Sequence, residues 1–510
     1  MDGLRDGTAA WPGQPLLDPD PAARGLDRVG VVDVGSNSVR LVVFDGAARS
    51  PAYFYNEKVM AGLGAGLDQT GRLNPEGVER AHAALRRFVA LADGMGTGPL
   101  EAVATAAVRR AEDGPAFAAR VEEETGVRLR VIDGEEEARL SAQGVLLGWP
   151  ASEGLVCDIG GSSMEVARIE GGRVWERATS DLGPLRLEAL RGGVKARRRE
   201  IDAALAALLK KIGRNERLYL VGGSWRAIGR LDMARRGYPL SVLHDYKMTP
   251  ADVVATLDGI AGQDLELVRK DVGVSAARIA RVPVAGEVLR RLVEVFAVRE
   301  IVTSGYGIRE GILFDRMPQR LRARDPLIEA TRHAEAMSAR TPGFGEKLYE
   351  FIAPLMAGAT TAPRLHRAAC LLHDVSWRAH PDYRAEIVFD TATRGNLGGI
   401  DHPGRVFLGL ALLHRYRNAR PGNRFEPLLE LLSAEEIHEA EVLGRAMRFG
   451  AMFSVAAPDR MGRLAWRPTR AEIELALPRE AAALYGEVAA ARLASLAKSM
   501  QATVTLSRTD

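Results

Sequence analysis

At about 100 to 200 residues per domain, a chain of 510 residues implies roughly three domains and excludes a single oversized core. With 46% hydrophobic and 26% charged residues the composition lies well away from the disordered class. The 69 basic and 66 acidic residues leave a formal net charge of only +3, so no global field selects nucleic acid or a membrane as partner, and any anion site has to be local.

Of the basic residues 61 are Arg and 8 are Lys, so positive charge is carried almost entirely by planar, fork-shaped donors. Cys157 and Cys370 sit in apolar runs, as buried thiols of a reducing compartment rather than a disulfide pair. No apolar stretch of about 18 residues and no secretory h-region is present, which makes a cytoplasmic protein without a membrane span the expectation.

Residues 1–27 carry Gly, Pro and Asp without periodicity and are expected to form an unstructured leader. From Val29, the run VGVVDVGSNSVRLVVFDG predicts strand, Gly-Ser turn, strand. Asn74-Pro75 then opens a helix with Val78, Ala81, Leu85, Phe88, Val89 and Ala92 at helical spacing, Asn74 being the cap. A strand (EAVATAA), a helix near 115–125 ended by Gly126, and a strand (VRLRVID) follow. From Gly154 the strand, Gly-Ser tip, strand pattern recurs, with Asp158-Ile159-Gly160-Gly161 lying 125 positions after Asp33-Val34-Gly35-Ser36. This indicates a duplicated plan, expected at 28–152 and 153–315, each an α/β layer. Past about 316 the chain turns to Ala, Leu, Glu and Arg stretches, which predicts an all-helical third domain at 316–510.

A phosphate held in a loop needs converging backbone N–H groups, and short Gly/Ser turns after a strand supply them. Gly35, Ser36, Asn37 and Ser38 in the first tip and Gly160, Gly161, Ser162 and Ser163 in the second are the candidate phosphate-binding residues. Asp33 and Asp158, at the ends of their strands, and Glu165 beyond the second tip are candidates to hold a hydrated magnesium ion. Either tip alone is most often a mere turn; it is the pair that argues for phosphate.

The paired tips resemble the phosphate loops of the acetate kinase, sugar kinase and actin superfamily. Within it VDVGSNSVRLVVFD, AGLGAGLDQTGRLN, VATAAVRRAED, VIDGEEEARLSAQGV, VCDIGGSSMEVARI, SDLGPLRL and SGYGIREGIL, in this order over 29 to about 315, resemble the exopolyphosphatase and guanosine pentaphosphate phosphohydrolase family. The resemblance implies two actin-like α/β domains around a cleft, a helical domain resembling HD phosphohydrolases, magnesium with or without a monovalent cation, and a homodimer. The second tip departs from the family pattern at Ser162 and Met164, where Gly and Ser/Thr are usual.

Hydrolysis of a phosphoanhydride requires a carboxylate to orient and deprotonate water. In GEEEARL, Asp133 can cap a helix whose first turn holds the acids, and three successive Glu cannot all face one cleft. The family motif points to Glu137 first and Glu136 second, against the plain reading that both merely favour the helix dipole and pair with Arg139. Arg40 and Arg109 are natural phosphate partners, Arg109 by its match to the family's Ala-x-Arg position. Arg309, at a helix start, is suited to close over the cleft or to a structural role. Gly222-Gly223-Ser224 lies where kinases of the superfamily contact adenosine, and is otherwise a tight turn. His373-Asp374, with His366 and His414, resembles the HD pair only loosely, and the domain is expected to be non-catalytic. The densest basic run, 191–211, is either the solvated face of an amphipathic helix or a track for a polyanion, and the lack of interleaved aromatics disfavours nucleic acid.

The expectation is thus exopolyphosphatase activity on inorganic polyphosphate, with guanosine pentaphosphate hydrolysis as the nearest alternative. A phosphotransferase and a non-catalytic module binding guanosine tetraphosphate remain as rivals.

Overall fold

The computed structural model describes residues 28–45, 49–419, 422, 424–454 and 461–509. The expected leader, 1–27, lies outside the described residues. The described chain forms two compact units, one reaching Ala323 and the other starting at Arg324.

In the first unit, β1 (Val29–Val34) and β2 (Val39–Phe44) form the expected hairpin, in register from Val29 opposite Phe44 to Val34 opposite Val39. With β3 (Tyr53–Val59), β4 (Glu101–Ala104) and β5 (Leu129–Val131) they make a sheet ordered β3-β2-β1-β4-β5, in which β4 and β5 run parallel to β1. The second sheet repeats this plan. β6 (Gly154–Ile159), β7 (Met164–Glu170) and β8 (Arg173–Ser180) form the meander, and β9 (Arg217–Val221), β10 (Lys247–Met248) and β11 (Glu300–Thr303) complete the order β8-β7-β6-β9-β11-β10. Asp33 pairs with Arg40 across the first hairpin and Asp158 with Glu165 across the second, so the two turns have equal length and Glu165 occupies the position equivalent to Arg40.

The strands read as continuous apolar runs because both faces of each sheet are covered. Val32, Val34, Leu41 and Val43 face Leu85 and Phe88 of the Pro75–Gly94 helix and Phe117 and Val121 of the Gly114–Thr125 helix. Asn74 caps the former by accepting from the Gly77 N–H, and Gly126 ends the latter with φ of 69°. The intervening Val31, Val42 and Phe44 face inward, onto Leu140, Val145 and Leu146 of the Gly134–Gly148 helix and Ile312 and Leu313 of the Ile308–Arg316 helix. These helices also pack on Val156, Ile169 and Val221 of the second sheet, whose far face is covered by the Gly193–Ile212, Gly223–Arg235 and Val282–Phe296 helices. Each buried Val, Leu or Phe contributes roughly 1.5–3 kcal/mol.

The two central helices touch backbone to backbone. A Cβ on Gly311 would lie 1.7 Å from the Leu140 carbonyl oxygen, and one on Gly144 would lie 2.1 Å from that of Gly307. Only glycine allows this crossing, which joins the element following each sheet.

The second unit is mainly helical, including the Pro326–Ser338, Pro363–Leu372, His402–Tyr416, Ala434–Ser454 and Glu487–Ser499 helices. It is not all helical, which corrects the expectation for 316–510. β12 (Arg463–Arg467), β13 (Glu472–Pro478) and β14 (Thr503–Thr509) form a sheet, β13 antiparallel to β12 and parallel to β14. Alternation drives it: Ile473, Leu475 and Leu477 are buried while their neighbours are half-exposed. Among the described residues no helix is long and apolar enough to cross a membrane.

Candidate active site

The two Asp-x-Gly turns close identically: the Gly35 N–H donates to the Ser38 carbonyl at 3.0 Å, and the Gly160 N–H to the Ser163 carbonyl at 3.0 Å. The first is braced by a Gly-rich segment and the second by Leu185. Gly64 and Gly62 donate to the carbonyls of Ser36 and Asn37 at 2.8 and 3.1 Å, and Leu185 donates to that of Gly161 at 2.9 Å. The tips meet, with the Ser162 hydroxyl 3.4 Å from that of Ser36. The departure from Gly at Ser162 therefore adds a contact between the tips and leaves the closure of the turn intact.

Between the sheets lies a cavity of about 370 Å³, lined by both turns and by Asp33, Arg40, Glu137 and Asp158 among the expected residues. Ser162, Arg109, Glu136 and Glu165 are not among the lining residues. Ser162 is buried between the tips. Glu165 is buried and accepts from the Thr179 hydroxyl at 3.0 Å.

The helix following Asp133 sends its three Glu in three directions, as successive residues about 100° apart must go. Asp133 caps it by accepting from the Glu136 N–H at 2.7 Å. Glu135 pairs with Lys211 at 2.5 Å, Glu136 is held by Arg139 at 2.7 Å and Arg130 at 3.2 Å, and Glu137 faces the cavity. Arg139 makes Glu136 more acidic than usual, whereas burial, reinforced by Asp158 and opposed by Arg109, pushes Glu137 up to about 8. Arg109, expected at a phosphate, donates to the Ile132 carbonyl at 2.7 Å and to Glu137 at 3.2 Å.

Burial also raises Asp33, against the pull of Arg309 at 3.5 Å, and Asp158, against a 2.5 Å hydrogen bond from Ser141. Burial favours the neutral forms of both, and a cation placed beside them would favour the ionised ones. Among the described residues no group of three His, Cys, Asp or Glu is arranged to hold a metal. Magnesium does not require one: it binds through one or two carboxylates and takes its other oxygens from water and phosphate, and Asp33 and Asp158 fit that donor set.

Several site residues escaped the sequence reading. Arg226 lines the cavity one helical turn past Gly222 and donates to the Gly222 and Gly305 carbonyls at 3.1 and 3.3 Å. Ser141 lies four residues after Glu137, a spacing that signals a shared helix face. Lys58, Arg278 and Arg281 also line the cavity and carried no local signal. Arg309, singled out in the sequence as suited to close over the cleft or to a structural role, lines the cavity and reaches Asp33, whereas Glu310, which carried no such signal, accepts from the Tyr53 hydroxyl and from the Gly307 N–H at 2.7 Å. The basic run of 191–211 does not line the cavity; Arg197 and Arg198 pair with Glu287.

In the second unit, Asp374 is bound by Arg340 at 2.6 and 2.8 Å, the His373 Nδ1 lies 2.7 Å from the Cys370 carbonyl, and the His366 Nε2 lies 2.7 Å from the Thr361 hydroxyl. His414 is buried on the His402–Tyr416 helix.

Comparison with known proteins agrees with this architecture. The Ppx/GppA phosphatase family profile matches residues 42–320 and the exopolyphosphatase C-terminal profile matches 327–506. The chain belongs to the Ppx/GppA phosphatase family. Exopolyphosphatase 1 of Mycobacterium tuberculosis is 38% identical over 143 residues, 28% of this chain and 42% of that protein. The chain thus spans less than half the length of that relative. Retrograde regulation protein 2 of Saccharomyces cerevisiae is 24% identical over 481 residues, 84% of this chain and 80% of that protein. The crystal structure of an exopolyphosphatase from Cytophaga hutchinsonii, 24% identical, superposes with a TM-score of 0.52 over 57% of this chain and 98% of that one. The two sheet-bearing halves have the expected actin-like fold, followed by a helical C-terminal region.

Proposed function

We propose that this protein is an exopolyphosphatase that hydrolyses the terminal phosphoanhydride bond of inorganic polyphosphate. The observation carrying this reading is that Glu137 faces the cavity into which both Gly-Ser turns point, while Glu135 and Glu136 are tied to cations elsewhere. Backbone N–H groups and hydroxyls of Ser36, Ser38 and Ser163 cradle the terminal phosphate, and Arg40, Arg226 and Arg309 offset charge developing on its oxygens. Glu137 takes a proton from water as the water oxygen bonds to phosphorus; the bond to the bridging oxygen breaks, and orthophosphate leaves the shortened chain. Asp33 and Asp158 would hold magnesium, which when bound neutralises phosphate oxygens.

Hydrolysis of guanosine pentaphosphate by the same groups is the second reading, favoured by Gly222, Gly223 and Ser224 lining the cavity. No aromatic ring stands among the lining residues, so a guanine base has no stacking surface there, which favours the polymer. Turnover of long-chain polyphosphate and of guanosine pentaphosphate by one preparation tests the choice: higher kcat/KM on polyphosphate is expected, and the reverse order overturns it.

A further inference from the structure

Asp158 lies near the end of β6, where its backbone is registered against Glu165 of β7 and Val221 of β9. Its carboxylate is fixed by less. Among the described residues one hydrogen bond reaches it, from the Ser141 hydroxyl to Oδ2 at 2.5 Å. Oδ1 stands beside Gly222, a lining residue of the cavity: a Cβ there would lie 3.2 Å from it. A carboxylate turns easily about its last torsion, so this single donor decides which oxygen faces the helix and which is left to a ligand.

Ser141 is buried in the middle of the Gly134–Gly148 helix, where alanine is the better helix former and a serine hydroxyl can bond back to the carbonyl one turn earlier. Here the hydroxyl leaves its own helix for a strand of the second sheet. Its position is rigid. A Cβ on Gly311 would lie 1.7 Å from the Leu140 carbonyl oxygen and 3.1 Å from the Gly144 nitrogen, so the Ile308–Arg316 helix presses on this helix both before and after Ser141. Glu137 stands four residues earlier on the same helix face and lines the cavity, as Asp158 does. Among the described residues Asp33 has no hydroxyl partner and is paired with Arg309 at 3.5 Å.

We infer that Ser141 is a positioning residue for Asp158: its hydroxyl holds Oδ2 against the helix and leaves Oδ1 to a divalent cation. One rigid helix then places both the proton acceptor and the carboxylate that holds the cation. This rests on the reading of Asp158 as a magnesium ligand. An ionised carboxylate only accepts, so the hydroxyl is the donor and the bond is lost with the hydroxyl alone. Groups that orient a ligating carboxylate act on metal affinity without touching the metal.

The test compares Ser141→Ala, Ser141→Cys and Ser141→Thr with the unaltered full chain and with Asp158→Asn, all checked for folding by their thermal midpoints. Manganese replaces magnesium, so that free and bound ion are counted by electron paramagnetic resonance without any turnover. Kd for manganese is expected to rise about 10–100-fold in Ser141→Ala. Ser141→Cys keeps the volume but offers only a weak S–H donor and should match the alanine variant, whereas Ser141→Thr keeps the hydroxyl and should stay near the unaltered value. In phosphate release, the half-activating magnesium concentration should move by the same factor. Unchanged manganese affinity in Ser141→Ala overturns the inference, and so does recovery by Ser141→Cys, which would assign the effect to packing. If Ser141→Thr fails to fold, the alanine and cysteine variants decide by these same criteria. If the unaltered protein binds manganese no more tightly than Asp158→Asn, the magnesium reading of Asp158 fails and the inference falls with it. Weakened binding by Asp158→Asn alone overturns the inference and leaves that reading standing.

Discussion

Arg109, expected at a phosphate, has other neighbours in the fold. The motif suggests a phosphate ligand, yet its guanidinium spans the Ile132 carbonyl and Glu137, and would thus position and acidify the base proposed above. Glu137 must be ionised to accept a proton, and burial holds it up to about 8, so kcat/KM at constant divalent cation is expected to rise with pH through that value. Arg109→Gln removes an opposing charge and should move the half-rise upward by about 1 unit. A pH profile in which the variant keeps the same half-rise and only KM increases would return Arg109 to the phosphate. The Gly-Ser turns, Asp33, Asp158 and Glu137 were legible because local spacing dictates their turn or helix face. Lys58, Arg278 and Arg281 were not, because in a chain with 69 basic residues only the fold brings Lys58 beside the distant segment that carries Arg278 and Arg281.

At the scale of elements, the duplication was visible as two Asp-x-Gly tips on apolar strands, and strand order bears it out. The crossing of the two central helices was hidden, since a glycine inside a helical pattern does not say what approaches it. Gly311→Ala places a Cβ against the Leu140 carbonyl, and Gly311 is expected to be intolerant: the thermal midpoint of the first unit should fall by the equivalent of about 3 kcal/mol or more. An unchanged midpoint would mean that the helices separate readily. The C-terminal sheet was missed for a different reason. EIELALP alternates apolar and polar residues over a full strand, but its Glu, Leu and Ala also suit the helices around it, and its partner β14 lies beyond an intervening helix.

For the whole molecule, the near-zero total conceals opposed local fields, with carboxylates and guanidinium groups concentrated at one cavity. The second unit carries its own titration. Burial pushes His366 down to about 4, so between that value and its ordinary 6.5 the unfolded chain binds more protons than the folded one. The neutral ring's contribution is complete above pH 6.5 and is lost as pH falls toward 4, by on the order of 2–3 kcal/mol. His366→Gln is expected to reduce the acid-side fall in the thermal midpoint of this unit, as followed by calorimetry of the full chain. An equal fall in both proteins would show that its carboxylates, Glu439 among them, account for the loss.

The most direct measurement is orthophosphate release from long-chain polyphosphate by the unaltered protein and by Glu137→Gln, with magnesium present and with folding of both confirmed by their thermal midpoints. Loss of Glu137 as the proton acceptor predicts a fall in kcat of about 10²–10⁴-fold with KM little changed. Equal phosphate release by the two proteins would contradict the assignment of Glu137 and the hydrolytic mechanism built on it.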